Sequence, residues 1–72
     1  MAKDICVLLG GRIRELRKAR QWRQIDLAQH SGVHEVHISD LERGTRAAGV
    51  KTLQRIAKSL GITVSDLFKG IG

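Results

Sequence analysis

Val50, Leu53, Ile56, Ala57 and Leu60 fall at i, i+3, i+6, i+7 and i+10, with Gly61 directly after them. On a helix that spacing gathers the apolar side chains into one stripe, whereas a strand would divide them between two faces. The same period recurs along the chain. Leu9, Ile13 and Leu16, with Val7, predict a first helix over about 6–20 whose arginine-rich side faces water. Ile25, Leu27 and Ala28 predict a second over about 24–31, and Val36, Ile38 and Leu41 a third over about 34–43. Thr63-Val64-Ser65-Asp66 resembles a capping box, a hydroxyl at the cap with a carboxylate three residues on, opening a fifth helix through Leu67 and Phe68. Gly32 follows the second helix as a helix-ending residue in the left-handed conformation would, and Val33 after it is expected to pack inward. Glycines, from Gly10-Gly11 onward, punctuate a chain that contains no proline. No segment alternates polar and apolar residues for long enough to form a strand. The expectation is an all-α fold of five helices.

With 72 residues the chain can build one domain, burying roughly 60% of its extended surface. Cys6 is the single cysteine, so no internal disulfide and no cysteine-rich zinc framework can form. It fits a reducing cytosol and is expected to be a small, partly buried apolar group rather than a catalytic thiol. No apolar run approaches the roughly 20 residues that span a bilayer. MAKDICVLLGG, with one lysine and a brief apolar stretch, makes a poor signal peptide, so a cytoplasmic location and no membrane partner are expected.

The formal charge is +6 and the pI about 10.5, which points to an anionic partner, nucleic acid ahead of an anionic membrane. The charge is unevenly spread. Residues 1–23 hold seven basic side chains, Arg17, Arg20 and Arg23 among them, against Asp4 and Glu15. Residues 24–42 hold no Lys or Arg but carry Asp26, Glu35, Asp40 and Glu42, together with all three histidines. Basic residues return from Arg43 onward, with Asp66 their only acidic neighbour. Trp22 and Phe68 are the only aromatics, which argues against base-stacking platforms for single strands.

The second and third helices are separated by about three residues, and Gln24, Leu27, Ala28, Gly32, Val33, Ile38 and Leu41 span that junction. A small residue at Ala28 lets the helices cross closely, and the three apolar side chains after Gly32 pin the third helix to the core. GGRIRELRKARQWRQIDLAQHSGVHEVHISDLERG, followed by TLQRIAKSLGITVSDLF, resembles the Cro/C1-type family of phage-repressor-like regulators over roughly Leu9 to Phe68.

The resemblance implies a five-helix lambda-repressor-like domain with a helix-turn-helix at about 24–43. It also implies a homodimer on double-stranded DNA, bound to a pseudo-palindromic operator with the third helix in the major groove. By position, Gln24 stands where the family contacts phosphate. Glu35 and Val36 occupy the main base-reading positions, with His34, His37, Ser39 and Asp40 around them. Arg43 and Arg46 fall where the loop after the recognition helix touches the DNA backbone. Arg17 and Glu42 match a pair that the family often uses as an internal ion pair joining the first and third helices.

The chain departs from the family in three places. Arg23 replaces the usual Ser, Thr or Asn cap of the second helix, predicting a weaker cap but a cation beside the phosphates. Ala48-Gly49 replaces a frequent Pro-Ser before the fourth helix, predicting a looser entry. Glu35 stands where Arg, Gln or Ser is commoner.

Other readings of the same residues are weaker. His30, His34 and His37 are spaced by four and three, and zinc on a helix asks for two histidines four apart on one continuous helix. Ser31-Gly32 interrupts the first pair, so solvated or phosphate-facing histidines are expected, and no metal. Ser39, Asp40 and His37 form a helix face rather than a catalytic constellation, and nothing implies an enzyme, a cofactor or a small-molecule ligand. Trp22 is expected as a core plug or interhelix spacer. A membrane-surface role would need a longer amphipathic helix. A protein-binding module of antitoxin or adaptor type draws support only from the acidic third helix. The apolar C-terminal segment suggests Phe68 and Ile71 for a two-fold interface, with Leu67 closing the core. Among regulators, a Cro-like repressor and a restriction–modification controller protein are equally compatible with these residues.

Overall fold

The computed structural model describes residues 4–71. They form α1 (Ile5–Ala19), α2 (Gln24–Ser31), α3 (Glu35–Arg43), α4 (Val50–Ser59) and α5 (Val64–Leu67), with no strand among the described residues. Ile13, Leu27, Ile38, Ile56 and Leu67, one from each helix, are fully buried at a common centre. Leu9, Val33, Leu41, Leu53, Ala57 and Leu60 complete the core. α3 packs against both α1 and α2, so the element expected to face a partner is braced on two sides.

The helix ends follow from local chemistry. The Asp4 carboxylate accepts from the Cys6 N–H at 2.7 Å and opens α1. The half-buried Cys6 thiol is held above its ordinary pKa, by lost solvation first and then by Asp4, which fits an inert packing group. At Thr63 the expected capping box is present: Asp66 N–H donates to Oγ1 at 3.0 Å, and Thr63 N–H donates to Asp66 Oδ2 at 3.2 Å.

α1 and α4 finish alike. Ile62 N–H reaches the Ala57 carbonyl at 3.0 Å across left-handed Gly61 (φ 72°), and Trp22 N–H reaches the Arg17 carbonyl at 3.2 Å across Gln21 (φ 61°). Both are Schellman closures, but the α1 closure places a side chain where glycine is preferred.

Three apolar positions lie off the stripes predicted from sequence. Val7, Val36 and Val50 are 46%, 61% and 71% exposed, so they contribute little to the core. Gly10-Gly11 does not punctuate: both residues sit inside α1. A methyl group on Gly10 would overlap the Leu41 carbonyl oxygen and sit 2.8 Å from that of Glu42. Glycine there lets α1 rest directly on the backbone of α3. The arginine-rich side of α1 is not wholly solvated either. Arg17 is buried, and Arg12 donates to the Asp66 carbonyl at 3.3 Å, tying α1 to α5.

Candidate nucleic-acid interface

Three residues, Gly32, Val33 and His34, join α2 to α3. Gly32 is left-handed (φ 74°) and donates to the Ala28 carbonyl at 2.9 Å. Buried Ser31 accepts the Val33 N–H on its hydroxyl at 3.1 Å, and Val33 enters the core as expected. With Val33, Ile38 and Leu41 all inward, the opposite side of α3 is turned to solvent. It presents exposed His34, Glu35 and Val36, and Ser39 and Asp40 in part.

Beneath that face lies a buried polar knot. Arg17 donates from Nε to Glu42 Oε2 at 2.7 Å, from Nη2 to Oε1 at 2.9 Å, and from Nη1 to the Trp22 carbonyl at 2.7 Å. Gln24 Nε2 adds a bond to Glu42 Oε1 at 3.2 Å. The Arg17 and Glu42 side chains are only 9% and 3% exposed. Hydrogen bonding to Glu42 raises the Arg17 pKa above its ordinary value, against the opposing effect of burial. One two-point ion pair with two satellites therefore locks α1, the start of α2 and the end of α3 together. Gln24 has a structural partner that its position alone did not reveal.

The flanks carry the cations. Arg23 precedes α2, and a guanidinium has no acceptor with which to cap it. No side chain caps the first turn, as expected, and Asp26 ties the start from the other side by accepting the Arg23 backbone N–H at 2.7 Å. Arg23 Nε and Nη2 also donate to Asp26, each at 3.2 Å. The Arg23 side chain, followed by its backbone N–H, holds the Asp26 carboxyl below its ordinary range. After α3, Arg43 Nη2 donates to Asp40 Oδ1 at 2.6 Å, and Arg46 Nη1 lies 4.0 Å from Oδ2. Thr45 donates to the Asp40 carbonyl from both N–H and hydroxyl, at 3.1 and 3.2 Å, fixing the loop between the two arginines.

The histidines take three different roles. His34 is the N-cap of α3 rather than part of the helix, its Nδ1 accepting the Val36 N–H at 3.2 Å. His37 is half-buried, and its Nε2 is enclosed without a hydrogen-bond partner in the protein, so it is not the solvated side chain expected. His30 stacks on Trp22 with centroids 4.3 Å apart and planes within 4°, while the Arg20 guanidinium lies 5.2 Å from the Trp22 ring. No group of three His, Cys, Asp or Glu side chains among the described residues is arranged to share a metal ion. Phe68 and Ile71 both rest partly buried against the core, beyond fully buried Leu67.

A braced helix, a three-residue turn and a second helix with an open face match a recorded pattern, since residues 13–67 fit the family described as Helix-turn-helix. The chain belongs to the helix-turn-helix family. It is 43% identical over 60 residues to the HTH-type transcriptional regulator DdrOP3 of Deinococcus deserti, covering 83% of this chain and 46% of that protein. The chain thus spans under half of that relative's length. It is 35% identical over 68 residues to Control protein C.BamHI of Bacillus amyloliquefaciens, covering 93% of this chain and 84% of the relative.

The crystal structure of the restriction-modification controller protein C.AhdI from Aeromonas hydrophila superposes with a TM-score of 0.85 at 35% identity. That match covers 88% of this chain and 96% of C.AhdI. The chain therefore has the fold of helix-turn-helix transcriptional regulators and is related to controller proteins. The resemblance read from its motifs and the all-α five-helix class both hold. No described helix is long and apolar enough to cross a membrane.

Proposed function

We propose that the chain acts in the cytoplasm as a homodimeric regulator of the controller type, laying α3 in the major groove of a pseudo-palindromic operator. The observation that carries this reading is the exposed first turn of α3. Val36 is 61% exposed beside exposed Glu35, on a helix whose other side is anchored by Ile38 and Leu41. Neither side chain serves the core, and both are suited to base edges. A carboxylate accepts from the cytosine amino group, and a branched apolar group packs on the thymine methyl. His34, His37, Ser39 and Asp40 border them. Arg23, Gln24, Arg43 and Arg46 supply the backbone contacts that set register without reading sequence. Phe68 and Ile71, at the C-terminal end, are assigned to the two-fold interface. The protein-docking alternative loses most of its acidic surface, since Asp26, Asp40 and Glu42 each engage an arginine of the same chain.

The test is the salt dependence of DNA binding. Arg23, Arg43 and Arg46, doubled in a dimer, predict a slope of log K against log salt of about −5, or about a 10³-fold loss between roughly 50 and 200 mM. A slope near zero would overturn the reading.

A further inference from the structure

Every arginine assigned above to DNA phosphates is already held by a carboxylate of the helix-turn-helix. Arg23 makes its two contacts with Asp26, and Arg43 and Arg46 converge on Asp40, one toward each carboxylate oxygen. The three arginine side chains are 78%, 64% and 58% exposed, whereas Asp26 and Asp40 are 26% and 25% exposed. The cations therefore sit outermost, each over an anion set lower in the surface. A carboxylate offers a guanidinium the same paired oxygens that a phosphate does. Three of the four acidic residues of the 24–42 block, where the chain has no Lys or Arg, thus meet the cations that flank it.

We propose that Asp40, aided by Asp26 at the start of the motif, is an intramolecular competitor that occupies the phosphate-contacting arginines until DNA displaces it. This rests on the DNA-binding reading given above. Asp40 then acts through Arg43 and Arg46 as a positioning residue and reads no base. The Thr45 bonds to the Asp40 carbonyl keep the two guanidinium groups together, so the arginines are pre-gathered and partly neutralised in one arrangement. The competition applies wherever the arginines meet phosphate. It sets affinity for all sequences alike and keeps binding reversible. Asp26 cannot be tested as cleanly, because it also closes the start of α2 through the Arg23 N–H.

The experiment compares the parent chain with Asp40→Asn, which keeps the shape and removes the charge. Binding is followed by fluorescence anisotropy on a random-sequence duplex and on a duplex recovered from the parent by selection, across a salt series. Circular dichroism melting confirms that both proteins are folded. The competitor predicts tighter binding to both duplexes by a similar factor of about 2- to 30-fold, with two such clusters per dimer. Unchanged or weaker binding to the random duplex overturns the proposal, as does a changed base preference at unchanged random-duplex affinity, which would make Asp40 a base contact. If the parent itself shows no salt-dependent binding, the DNA-binding reading falls and the competitor with it. If the parent binds and Asp40→Asn changes nothing, only the competitor falls.

Discussion

Removing Arg17 should unfold much of this protein's margin. Arg17→Met keeps an apolar stem but deletes three donated bonds, two to Glu42 and one to the Trp22 carbonyl. The Glu42 carboxylate, 3% exposed, would then keep only the Gln24 amide at 3.2 Å. An uncompensated buried charge of this kind costs about 3–5 kcal/mol. A chain of 72 residues has about 4–11 kcal/mol of stability in all, so one substitution removes around half of it. At about 4–8 °C per kcal/mol, the melting midpoint should fall by at least about 12 °C. Glu42→Met strands the guanidinium instead and should cost a similar amount. Arg17→Met/Glu42→Met removes both charges, and apolar replacement of a buried pair is often close to neutral. The double variant should therefore be more stable than either single one. Urea unfolding followed by far-ultraviolet circular dichroism measures all four proteins. The reasoning is refuted if either single variant lies within about 1 kcal/mol of the parent, or if the two losses simply add in the double variant.

Further expectations are local. Gln21→Gly places glycine where the α1 closure needs a left-handed residue (φ 61°), so stability should rise by about 0.5–1 kcal/mol; an unchanged or lower urea midpoint contradicts this. Asp66 is held below its ordinary pKa of 3.8, chiefly by the Thr63 backbone N–H, and Asp26 is lowered by Arg23. A lowered folded-state pKa gives stability that is present above the ordinary value and lost as pH falls through the folded one. The melting midpoint should therefore hold from about pH 7 to 5 and drop below about pH 4, with a smaller drop in Asp66→Asn. A parent midpoint flat down to about pH 2.5 would count against both contacts. Glu35→Ala should strengthen binding to random DNA and blunt discrimination between sites, because a carboxylate near phosphates penalises nonspecific docking. A uniform loss of affinity for all sequences would contradict that role.

Periodicity carried most of the fold. The five helices, the left-handed Gly32, the inward Val33 and the Thr63 capping box were all legible, because each depends on neighbours a few residues away. The Arg17–Glu42 pair became visible only through the family resemblance, since its partners lie 25 residues apart and neither residue type signals burial. Gly10 was misleading for a similar reason: its role depends on the backbone of α3, which no local window contains. Gln21 carries no turn signature, and only the equivalent Gly61 closure shows what its position demands. Within the candidate site, the places of Gln24 at the start of α2 and of Glu35, Val36 and Arg43 along α3 were readable by position. The side-chain geometry was not, and it changed the most about the histidines and the acids. His34 caps a helix, His37 turns partly inward, and Asp26 and Asp40 hold the arginines beside them.

The central claim is that α3 chooses DNA sequences as one half of a symmetric pair. Selection of bound duplexes from a random pool tests it most directly, with the parent chain as the only protein present. The account predicts enrichment of a two-fold symmetric motif, its half-sites about one helical turn apart. Recovery of DNA without any enriched motif, or of a single asymmetric half-site, would contradict it.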